Sequence, residues 1–164
     1  MLGKSTWAVL GLTYHIELFT QVHYRQSIEP DADLSELYKD VFFFHWKEES
    51  QHAILDELEW QREDRKLTTG ERDRAVSDLI ELVAAVDGIL QAQAPADVEY
   101  FVAACGRKFT PAEMERLHVG VLKAYRWQYI VSGVQDKRFN DLLGAMITPE
   151  QSQRIGAALG PIMH

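Results

Sequence analysis

The 164-residue sequence predicts an all-α fold, an antiparallel helical bundle with a short helical C-terminal appendage. Three observations carry this. Apolar residues recur at three- and four-residue spacings through four long stretches. Ser, Thr or Asp stands where several of these stretches begin, often with Glu or Gln three residues later. No segment alternates apolar and polar residues long enough to make a strand. No linker or low-complexity stretch divides the chain, so residues 1–164 read as one domain, with the bundle over 1–135 and the tail over 136–164.

The first helix is predicted from about Ser5 to Ile28, where "EPDAD" ends it. The second starts near Asp33, which forms a D-x-x-E capping box with Glu36, and lasts to about Asp64. The chain turns at "KLTTG". The third helix runs from about Glu71 to Cys105, kinked at Pro95. After "GRKFTPAEM", Thr110 caps the fourth helix, with Pro111 in its first turn and Glu113 three residues past the cap, and the helix runs to about Gln135. Two shorter helices follow, the second opened by Thr148, Pro149 and Gln151.

Composition narrows the function. Seventeen basic and twenty-five acidic residues give a net charge of −8. That argues against nucleic acid or an anionic membrane surface as the main partner. No apolar run reaches the roughly 18 residues of a membrane span. The opening stretch turns polar without a small-residue cleavage site, so no leader is read there. A lone cysteine, Cys105, fits a reducing, cytoplasmic setting.

The chemistry concentrates in "HWKEESQHAILDELEWQRED", residues 45–64. At about 100° per residue, Tyr38, Phe42, His45, His52, Asp56 and Trp60 fall within about 60° of Glu49. The stripe is therefore expected to face the core. Glu17 is the corresponding acid in an apolar and aromatic stripe of the first helix. Residues 17 and 49 are equidistant from position 33, near the predicted turn, so Glu17 meets Glu49 and His52 across the helix pair. Two unpaired carboxylates in contact repel, and one tends to stay protonated. A divalent cation removes that conflict, and carboxylate with imidazole suits iron, manganese or zinc.

A glutamate on one helix and Glu-x-x-His on the next resembles half of the ferritin-like di-iron carboxylate pattern. Here Glu17 in "HIELFTQVHY" and Glu49/His52 in "KEESQH" carry it, over about 60 residues. The resemblance implies a non-haem di-metal centre, with iron as first expectation, in an oxygen-dependent redox role. A small-molecule substrate or dioxygen would be the reactant. A ferroxidase-like iron-handling role is the second reading in this class, and a metal-free helical dimerisation or interaction module is the reading from outside it.

The second half departs from the pattern. A literal copy, Glu115-x-x-His118, lies about ten residues from the required height, roughly 15 Å along the axis. At the right height the fourth helix offers Gln128, Tyr129 and Ser132, and the third offers Asp87. Three completions follow. The expected one is a homodimer with the first two helices near its interface, which supplies a second Glu17, Glu49 and His52 about a twofold axis. A missing first half of a longer protein could supply the other ligands. A single-metal site could recruit His45 and Asp87.

Overall fold

The structure, a computed structural model, describes residues 3–163; Met1 and Leu2, part of the opening stretch read as carrying no leader, lie outside the described residues. Helices follow one another as α1 (Thr6–His23), α2 (Glu36–Asp64), α3 (Thr69–Cys105), α4 (Pro111–Arg126), α5 (Ser132–Val134), α6 (Lys137–Met146) and α7 (Pro149–Leu159). The described residues contain no strand, so the all-α expectation holds.

Local chemistry sets the boundaries. Ser5, Ser35, Thr68, Thr110, Asp136 and Thr148 each accept a hydrogen bond from a backbone N–H of the helix they open. Glu71, Glu113 and Gln151 return the bond to the caps at Thr68, Thr110 and Thr148. One expectation is corrected here. Ser35, not Asp33, caps α2, while Asp33 donates its own N–H to Asp31 within the preceding turn. α3 begins within two residues of its expected start and runs with Pro95 inside it to the expected end at Cys105, where Gly106, at φ 65°, terminates it.

α1 is the central helix. Its buried Trp7, Leu12, Tyr14 and Leu18 meet Trp60 of α2, Val76, Leu79 and Leu82 of α3, and Phe139 and Leu143 of α6. α1 and α2 run antiparallel. Trp7 donates to Asp64 (3.0 Å), Tyr14 to Glu57 (3.2 Å), and Tyr24 stacks on Trp46 at 5.5 Å. Gly11 lets them close, because a Cβ there would lie 2.7 Å from the Trp60 ring. α3 and α4 form a second antiparallel pair, tied by Asp87–Arg126 and Asp97–Tyr125.

Two π-helical turns interrupt the pattern, Tyr24–Ile28 after α1 and Trp127–Val131 after α4. In the second, the Ile130 carbonyl accepts a 2.8 Å bond from His15 Nε2 of α1, and Gly133 leaves room for the imidazole. α7 lies along the first half of α3, where Arg154 and Gln151 bond to Asp73.

α2 departs most from expectation. Of its 29 residues only Ala53 and Trp60 are buried. It packs principally on α1, so the Tyr38 end of the Glu49 stripe is uncovered, with Tyr38 43% exposed.

Candidate metal centre

Glu17 projects from the middle of α1 and Glu49 and His52 from successive turns of α2. One ligand atom from each lies within 4.8 Å of the other two, the distance over which one ion could bridge them. The antiparallel pairing of α1 and α2 produces this meeting. Gln21, one turn past Glu17, reaches the Glu49 carbonyl at 3.5 Å and holds the two helices in register.

Glu49 is the centre of the cluster. His45 Nε2 lies 2.6 Å from its Oε1 and His52 Nδ1 2.9 Å from its Oε2. Burial first, then the hydrogen bond to Glu49 and the Glu49 charge, push the Glu17 carboxyl up to about 8. The bond from Glu17 holds Glu49 below its usual range, helped by His52 and His45. Glu17 is therefore the protonated member near neutral pH and donates to Glu49. Its buried Oε2 meets no donor among the described residues.

Asp56, one turn beyond His52, is a further acid of this surface. Burial raises its pKa, while the Thr13 hydroxyl and the His52 charge oppose the rise. It lies in the stripe around Glu49 but is not among the three mutually close ligand residues. An open groove is lined by Phe19, His23 and Phe42 on one side and Tyr125, Gln128 and Tyr129 on the other, and none of Glu17, Glu49 and His52 lines it. The Phe42 ring lies 6.5 Å from His45 and 6.3 Å from His23.

The other candidates separate. His45 binds Glu49 but is not among the three mutually close ligand residues. Asp87 does not join the cluster either. Arg126 grips both its oxygens, at 2.7 and 2.9 Å, and Gln91 adds a third bond at 2.6 Å. That pairing, Arg126 first, holds its carboxyl below the usual range and accounts for an acid on an apolar face of α3. The signal for this was Arg126 at matching height on α4. Glu115 and His118, on α4, also stand outside the three-residue group. No helix among the described residues is long and apolar enough to cross a membrane. No protein-family model, curated protein or solved structure matches the chain.

Proposed function

We propose that the chain is a metal-binding helical protein of the ferritin-like kind, in which Glu17, Glu49 and His52 hold a divalent transition-metal ion, iron first and manganese or zinc next. The observation that carries this is the meeting of three ligand atoms within 4.8 Å around a buried Glu17 oxygen that has no donor. Two carboxylates and an imidazole suit such an ion, and the positive charge replaces the proton that keeps the carboxylates together. His45, already bonded to Glu49, orients that carboxylate. Bound iron would supply electrons and open positions for dioxygen, which supports an oxygen-dependent redox role. The protein's part is to bind the ion and to hold Glu17 and Glu49 face to face.

Metal analysis of the purified protein tests this. The wild-type chain is expected to carry transition metal, and the Glu49→Ala, His52→Ala double variant to lose most of it. Equal metal content in the double variant overturns the assignment.

A further inference from the structure

We infer that the cavity between α1, α3, α6 and α7 is a binding site for a small aliphatic molecule carrying one hydroxyl, which donates to Nδ1 of His15. The cavity has a volume of about 60 Å³, and none of Glu17, Glu49 and His52 lines it. Leu12 and His15 of α1 and Phe139 of α6, all buried, stand at its inner end. Ala84 of α3 and Ala158 of α7, both exposed, form its mouth. His15 is the one polar side chain among its described lining residues. The inference makes no use of the metal cluster.

The imidazole selects the occupant. Its ring is fixed, with Phe19 and Phe139 meeting it edge-on at centroid distances of 5.5 Å and the Ile130 carbonyl 2.8 Å from Nε2. A carbonyl only accepts, so Nε2 carries the ring hydrogen and Nδ1 of the neutral ring is an acceptor. That Nδ1 is buried and meets no donor among the described residues. Buried polar atoms rarely stay unpaired. A partner must bring an O–H or N–H and must suit walls whose other side chains are aliphatic or aromatic. Water fits poorly, because a buried water makes about three hydrogen bonds and this lining offers one polar side chain. An ammonium fits worse, because its charge would be buried without a counter-charge. An aliphatic alcohol directs its single O–H at Nδ1 and sets carbon against the walls. At about 15 Å³ for each water-sized sphere, the cavity takes a hydroxyl and a few carbons, with any further chain leaving between Ala84 and Ala158.

Nitrogen NMR of the full chain with chelator, titrated with 1-butanol and with its hydroxyl-free isomer 1-methoxypropane, tests it. Butanol is expected to bind saturably and to move the His15 Nδ1 resonance while Nε2 keeps its position. The ether is expected to bind about tenfold more weakly, for want of one hydrogen bond, and to leave Nδ1 unmoved. Ala158→Trp, at an exposed position of the mouth, is expected to abolish butanol binding with helix content unchanged. Ala84→Trp closes the mouth from α3 and replaces that variant should it lose helix. No saturable binding of butanol, equal affinity for the two isomers, an unmoved Nδ1 at saturation, or butanol binding that a folded Trp variant leaves intact overturns the inference.

Discussion

Replacing Glu17 with Gln should stabilise the metal-free protein at alkaline pH while weakening metal binding. The amide keeps the shape of the protonated carboxyl and can still donate to Glu49, but it cannot ionise. In the fold the Glu17 carboxyl titrates near 8 against an ordinary 4.5. Between those values the folded chain holds a proton that the unfolded chain has released, so stability falls as pH rises from about 4.5 to about 8. At about 1.4 kcal/mol per unit the full shift would amount to about 5 kcal/mol. The cluster opens to water at His45 and His52, and solvent screening reduces this to about 1–2 kcal/mol. Glu17→Gln should therefore unfold at higher denaturant concentration than wild type at pH 8, by that amount, and equally at pH 4.5. Glu49, Asp56, His45 and His52 face the same spot and remain in both proteins. With metal the order reverses. An ion at about 100 times its dissociation constant stabilises wild type by about 2.7 kcal/mol, and the variant by little. Denaturation at both pH values, with chelator and then with manganese(II), reads all four numbers. A variant less stable than wild type at pH 8 without metal, or equally stabilised by metal, would refute the reasoning.

Other perturbations follow from the same structure. Gly11→Ala puts a Cβ 2.7 Å from the Trp60 ring and should cost about 1–3 kcal/mol in thermal unfolding, because two helix backbones must part; unchanged stability would mean that α1 and α2 are not in this contact. Asp87→Asn breaks the forked pair with Arg126 and should cost about 1–3 kcal/mol while leaving metal content as in wild type; a loss of metal would return Asp87 to the ligand set. Burial lowers the His15 pKa, so the fold disfavours a proton that the unfolded chain accepts below about 6.5, and stability falls as pH drops through that range. His15→Gln should flatten this acid limb in urea midpoints between pH 5 and 7, and an unchanged slope would assign the limb to other groups.

The sequence carried the helix pair and its cluster because both depend on local rules. The 3.6-residue period places Glu49 and His52 on one face, and reflection through the turn brings Glu17 level with them. What it did not carry depends on which helix faces which. Asp87 reads as a spare acid until α4 is set beside α3 and Arg126 reaches it. The Tyr38 stripe reads as core until α2 is seen to have α1 as its principal cover. The π-helical turn at Trp127–Val131 has no period of its own; His15 and Gly133 on either side of the Ile130 carbonyl accompany it. Ser35 displaced Asp33 as the cap by two residues, a choice between two adequate oxygen acceptors that composition alone does not make.

The most direct measurement is an anomalous-diffraction map of crystals grown from protein supplied with iron(II) without oxygen, or with manganese(II). The account predicts a peak bounded by Glu17, Glu49 and His52, with carboxylate oxygen and imidazole nitrogen at about 2.0–2.3 Å from it. No peak between Glu17 and Glu49, or a peak at Glu115 and His118 instead, would contradict it.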